Sequence, residues 1–143
     1  MSRQQALEQI ARHFDSGAFM SDLARRVAIK TESQVPESHP FLRSYLTDEI
    51  GPVLAQMGYE IQIIDNPAGV AAPFLLARRI EDPTLPTVLT YGHGDVIRGL
   101  DAQWQSGLSP WKLTQVGGRY YGRGTADNKG QHSINIAALR TVL

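Results

Sequence analysis

His93 and Asp95 stand two residues apart in Tyr91-Gly92-His93-Gly94-Asp95-Val96. Residues at i and i+2 of an extended chain point to the same side, so the carboxylate can approach the far ring nitrogen of the imidazole. Such a carboxylate fixes the tautomer of a metal-ligating histidine and raises its basicity. Glycines on both sides of His93 permit tight turning and close backbone approach. On spacing alone a plainer alternative stays open, a turn whose His and Asp only finish a strand end, because so short a match recurs by chance.

A second segment, Tyr121-Gly122-Arg123-Gly124-Thr125-Ala126-Asp127-Asn128-Lys129-Gly130, places one carboxylate in a glycine-punctuated loop near a helix start. Asp127 can cap that helix, or it can bind metal through both oxygens. Capping is the default for a lone aspartate. The Gly-x-Gly is not a dinucleotide fingerprint, since its spacing is wrong and a hairpin precedes it.

The composition narrows the chemistry. The chain has 143 residues, with Lys+Arg at 14 and Asp+Glu at 14, so its formal net charge is zero. That balance argues against a nucleic-acid surface built on bulk electrostatics. With no cysteine, disulfides and thiolate sites are excluded, and a metal must be held by His and carboxylates. Apolar runs such as Phe74–Ala77 and Ile134–Leu139 fall far short of the roughly 20 residues of a membrane-spanning helix. The N-terminus lacks the apolar core and cleavage site of a secretory signal, and the expected location is the cytoplasm, without a membrane partner.

The elements that must hold these residues follow from periodicity. Ala6, Leu7, Ile10, Ala11 and Phe14, then Phe19, Met20, Leu23, Ala24, Val27 and Ala28, have helical spacing on either side of a break at Ser16-Gly17. Thr31–His39 reads as a polar loop. From Pro40 to Met57 the spacing predicts a helix kinked by Pro52, whose ring removes a backbone bond, and ended by Gly58. Tyr59–Ile63 alternates as a strand with one covered face, and Phe74–Ile80 reads as another strand. Thr87–Tyr91 has the composition of an interior strand. Lys112–Val116 and Arg119–Tyr121 flank Gly117-Gly118 as a hairpin, and a helix begins near Lys129 and runs on to Leu143. Helices before and after several strands imply an α/β sandwich.

Gly92-His93-Gly94-Asp95-Val96, then Trp104, then Ser109-Pro110-Trp111, then Tyr121 to Gly130 occur in that order. The series resembles the zinc-dependent metallopeptidase family of aminoacylase, glutamate carboxypeptidase, carnosinase-type dipeptidases and succinyl-diaminopimelate desuccinylase. The likeness is carried by residues 87–143. It implies a three-layer α/β/α sandwich with a mostly parallel mixed sheet, residues 1–143 being the N-terminal portion of the catalytic domain. The rest of that domain and an inserted dimerisation domain would lie beyond Leu143.

By the same resemblance His93 is a ligand of one zinc ion and Asp127 bridges two. Asp95, counted with the catalytic residues, orients His93, and the Asp127–Asn128 peptide is cis. Asn128 stands where relatives often carry Asp or Met, and Trp111 where Phe is common. The reaction implied is hydrolysis of an amide bond in a small peptide or N-acyl amino acid, by a homodimer. Family members complete the site with a Glu-Glu pair, a further carboxylate and a distant His, yet beyond Asp127 this chain has no Asp or Glu. Two ligands are too few for a catalytic zinc site, so this chain alone is expected to be inactive. A competing possibility is a noncatalytic interaction module on the same scaffold with a lost metal centre; a third is completion of the site by another chain. His132 reads as an ordinary surface or packing histidine, Asp48-Glu49 as solvated charge, and Arg123 as a brace for its loop.

Overall fold

The computed structural model describes residues 2–143. Helix α1 (Arg3–Asp15) starts with a reciprocal cap: the Ser2 hydroxyl accepts from the Gln5 amide and the Gln5 side chain accepts from the Ser2 amide. Gly17 at φ +78° turns the chain into α2 (Ala18–Ala28), at the break read from the sequence. After a 3₁₀ turn at Pro36–Ser38 come α3 (His39–Ser44), a π-helical stretch (Tyr45–Ile50) and α4 (Gly51–Gln56).

The expected disturbance by Pro52 therefore falls just ahead of it. Pro52 has no N–H to offer the ladder, and the preceding turn widens so that the Gly51 amide reaches back five residues to the Leu46 carbonyl. A Cβ on Gly51 would lie 2.9 Å from that carbonyl oxygen. The widened turn directs Tyr45 and Ile50 into the core, where they meet Leu54 and Ile136.

Strands β1 (Glu60–Ile64) and β2 (Phe74–Arg78) form an antiparallel ribbon, with Glu60 opposite Arg78 and Ile64 opposite Phe74. Their alternating burial turns Ile61, Leu75 and Ala77 toward the same core. Strands β3 (Thr114–Val116) and β4 (Arg119–Tyr121) make the expected hairpin. Its two glycines, Gly117 and Gly118, both adopt positive φ, as a turn matched to strand twist requires. Helix α5 (Lys129–Val142) closes the chain and packs on α1 and α2.

The class is α/β, as expected, but one strand is not formed. Thr87–Tyr91 runs as irregular chain, with Val88 83% and Leu89 91% exposed. A strand persists only where a neighbour completes its ladder, and among the described residues no strand lies beside this one. Parallel pairing occurs instead at a single bridge between Glu32 and Val96, inside the stretch read as a polar loop. Glu49 also departs from its reading as solvated charge. It is largely covered, because it pairs with the buried Arg26 of α2 at 3.1 Å. Among the described residues no helix is long and apolar enough to cross a membrane.

Candidate metal centre

The bridge at Val96 is what fixes the loop bearing His93. The Val96 amide donates to the Thr31 carbonyl at 2.8 Å, and the Ser33 amide donates back to the Val96 carbonyl at 3.2 Å. The fully buried Thr31 also gives its hydroxyl to the Gly94 carbonyl at 2.5 Å. Just beyond, Glu32 accepts the Gly99 amide at 2.7 Å. Residues 94–99 are thereby tied to the chain that leaves α2, even though 87–91 has no ladder.

The loop bearing Asp127 is built on close backbone approach. The Gly130 amide donates to the Gly124 carbonyl at 3.0 Å. A Cβ on Gly130 would sit 1.8 Å from the Thr125 carbonyl oxygen, so only glycine fits that turn. Arg123 braces the base of the loop: its amide donates to the Pro110 carbonyl, and its guanidinium donates to the Gly99 carbonyl at 3.0 Å while lying over Trp104. The Asp127–Asn128 peptide is cis, in accord with the resemblance. Asn128, rather than Asp127, occupies the N-cap of α5. Asp127 is 86% exposed and its carboxylate turns to His93 instead of the helix end, which removes the capping alternative.

The two loops meet. His93 Nδ1 lies 3.2 Å from Asp95 Oδ1 and 3.2 Å from the Asp95 carbonyl, and His93 Nε2 lies 3.1 Å from Asp127 Oδ1. All three residues singled out in the sequence are thus brought into one cluster. Both atoms facing Nδ1 are acceptors, so Nδ1 carries the ring proton in the neutral imidazole. Nε2 then presents a lone pair to a carboxylate oxygen that has only lone pairs. Two acceptors at that distance need a positive charge between them, either a proton or a metal cation. Imidazole nitrogen and carboxylate oxygen are suitable donors for zinc, so these residues fit a divalent cation. They do not complete its shell, since among the described residues no three His, Asp or Glu gather closely enough to hold a metal.

Beneath the cluster lies a buried polar layer that sequence patterns did not reveal. His132 of α5 is buried, with Nε2 2.6 Å from the Tyr45 hydroxyl and Nδ1 3.2 Å from Asn128 Oδ1. Burial, with Arg26 and Lys129 nearby, pushes the His132 imidazole down to about 4, while burial holds the Tyr45 phenol well above its ordinary value. Lys129 is fully buried and pushed down to about 7 by loss of solvent. Its ammonium donates to the Ile29 carbonyl at 2.6 Å and lies over the Tyr45 ring. A lone histidine one turn into a helix carries no spacing signal, and its partner Tyr45 lies 87 residues away. The only hint in the sequence is the pair of glycines around His93.

Residues 89–143 match the model of peptidase family M20/M25/M40. Over 150 aligned residues the chain is 36% identical to the Beta-Ala-His dipeptidase of Mus musculus, covering 94% of this chain and 30% of that protein. In structure it resembles human carnosine dipeptidase 1, with a TM-score of 0.85 and 30% identity over 96% of this chain and 30% of the other. The di-peptidase Dug1p from Saccharomyces cerevisiae shares the fold, with a TM-score of 0.80 at 24% identity over the same shares of the two chains. The chain therefore spans about 30% of the length of these relatives. The matched segment contains both loops and the convergence of His93 with Asp127, and through that segment the chain is similar to peptidase family M20/M25/M40.

Proposed function

We propose that this chain supplies part of the metal centre of a di-zinc hydrolase that cleaves amide bonds of small peptides or N-acyl amino acids. The observation that carries the proposal is the 3.1 Å approach of His93 Nε2 to Asp127 Oδ1, with Asp95 on the opposite ring nitrogen. The dipeptidases among the relatives support a dipeptide as the first substrate to try.

Asp95 acts through His93. By accepting the Nδ1 proton it holds the ring in the tautomer whose Nε2 lone pair faces outward, and its negative charge makes that nitrogen a stronger donor. Asp127, 86% exposed, offers a carboxylate that can serve two cations. Zinc ions bound here supply polarisation of the scissile carbonyl and activation of water. The buried layer of Tyr45, His132 and Lys129 closes the inner side of the two loops, so substrate reaches the cluster from the exposed face of Asp127.

The remaining ligands and the proton-transferring carboxylate are not among residues 128–143, which contain no Asp or Glu. This chain alone should therefore turn over no dipeptide. Calorimetry should find zinc binding weaker than micromolar; submicromolar stoichiometric binding would contradict the incomplete shell. The function itself is tested with these residues joined to the remaining part of the catalytic domain proposed here, supplied with zinc and offered a panel of dipeptides and N-acyl amino acids. Release of free amino acid that His93→Ala and Asp127→Ala each abolish supports the proposal, and no turnover of any substrate overturns it.

A further inference from the structure

Tyr45 and His132 lie outside the metal cluster, yet both touch the loop that carries His93. A Cβ on Gly92 would lie 2.8 Å from His132 Cβ and 3.3 Å from Asn128 Oδ1, and a Cβ on Gly94 would lie 2.4 Å from two carbons of the Tyr45 ring. The two glycines flanking His93 thus rest on these two side chains. A side chain at either position would have to displace its support.

The polarity of the network follows from one group that cannot be reversed. The His93 backbone amide can only donate, so the atom of Asn128 it meets at 3.2 Å is the acceptor Oδ1. Asn128 Nδ2 accordingly donates to Gln131 Oε1 at 2.7 Å. His132 Nδ1 faces the same Oδ1 at 3.2 Å and must therefore carry its proton. The neutral ring then accepts at Nε2, and the Tyr45 hydroxyl at 2.6 Å donates to it. Every bond has one donor and one acceptor, running from Tyr45 through His132 to Asn128, where the chain meets the His93 amide.

We propose that Tyr45 and His132 are positioning residues, which set where His93 stands relative to Asp127 by fixing the orientation of the Asn128 amide beneath both. Asn128 follows Asp127 directly and accepts from His93, so the two loops share one side chain. The role rests on the metallohydrolase reading of His93 and Asp127. The arrangement also accords with burial, which favours the neutral imidazole and the protonated phenol this chain of bonds requires.

The test is nuclear magnetic resonance on the 143-residue chain labelled with ¹⁵N-histidine, at neutral pH without metal. In the unmodified protein His132 should be protonated at Nδ1 and bare at Nε2, and the His93 amide should exchange slowly with solvent. Tyr45→Phe keeps the ring under Gly94 but removes the donor. His132→Gln reproduces only the Nε2 end, while His132→Asn places an amide nitrogen where Nδ1 stood. Tyr45→Phe and His132→Gln should speed His93 amide exchange about tenfold, the effect of losing one neutral hydrogen bond, and His132→Asn should keep it slow. A wild-type His132 protonated at Nε2 overturns the proposal without any variant, so misfolding of a variant does not rescue it. Unchanged exchange in folded Tyr45→Phe and His132→Gln also overturns it. None of these measurements needs metal or turnover, so they fail or succeed independently of the hydrolase reading.

Discussion

His132 is held neutral by its surroundings, and that has a consequence for stability against pH. The groups facing it are Arg26 from α2, Tyr45 from the π-helical stretch, Lys129 from its own helix and His93 from the loop. Its ordinary value of 6.5 falls to about 4 in the folded protein, so between these values the unfolded chain binds more protons. Stability conferred by the neutral ring is complete above pH 6.5 and is lost as the pH falls to 4, by roughly 3 kcal/mol at most. Lys129 adds a second window of the same sign between about 7 and 10.5, until Tyr45, raised by burial, reverses the trend above pH 10. Urea unfolding of wild type and His132→Asn at pH 7 and pH 4.5 checks the first window. The variant should lose most of the acid sensitivity, and identical pH slopes would show that another group is responsible. At this scale the sequence was legible where residues cluster, as at His93 and Asp95, and silent where a single side chain meets a distant partner. Glu49 is the same lesson in charge. Beside Asp48 it looks like surface, and only the tertiary approach of Arg26 covers it.

Elements here are joined by a few buried polar ties whose loss should be costly. Arg26 is 1% exposed, with Nε on Glu49 of the π-helical stretch and Nη1 donating to Ser133 of α5 at 2.7 Å. Removing Glu49 strands a buried guanidinium, so Glu49→Ala should cost about 3–5 kcal/mol in chemical denaturation. Asp22→Ala breaks pairs with the more exposed Arg25 and Arg140 and should cost less than about 1 kcal/mol. Equal losses would refute the distinction between the two ties. Gly94→Ala drives a methyl into the Tyr45 ring and should cost about 1–3 kcal/mol by overpacking, with the His93 resonances shifting in the same variant. The helices, β1 and the β3–β4 hairpin were legible because period and turn glycines are local properties. The position of the π-helical turn was not, since Pro52 announces a disturbance without saying which side absorbs it. Nor was the Glu32–Val96 bridge, which pairs residues 64 apart in a stretch with no strand composition.

At the scale of the whole molecule the familiar motif order marked the fold, while the failure of Thr87–Tyr91 to form a strand marks where the chain is unsatisfied. Composition gave the segment strand character, but a ladder is a property of two segments, and only one is present among the described residues. The result is an exposed apolar run, Leu85, Val88, Leu89 and Tyr91, along backbone whose N–H and C=O groups have no strand neighbour. Such an edge is a template for pairing with another chain. Zero net charge gives little long-range repulsion to oppose it near neutral pH. The chain should therefore self-associate, its light-scattering mass rising with concentration. Val88→Lys combined with Leu89→Glu leaves the net charge unchanged and removes the apolar pair, so it isolates hydropathy from repulsion. That double variant should remain monomeric over the same range, with thermal stability close to wild type because neither side chain is packed. A wild-type chain that stays a monodisperse monomer at high concentration, or a double variant that associates equally, would place the driving surface elsewhere.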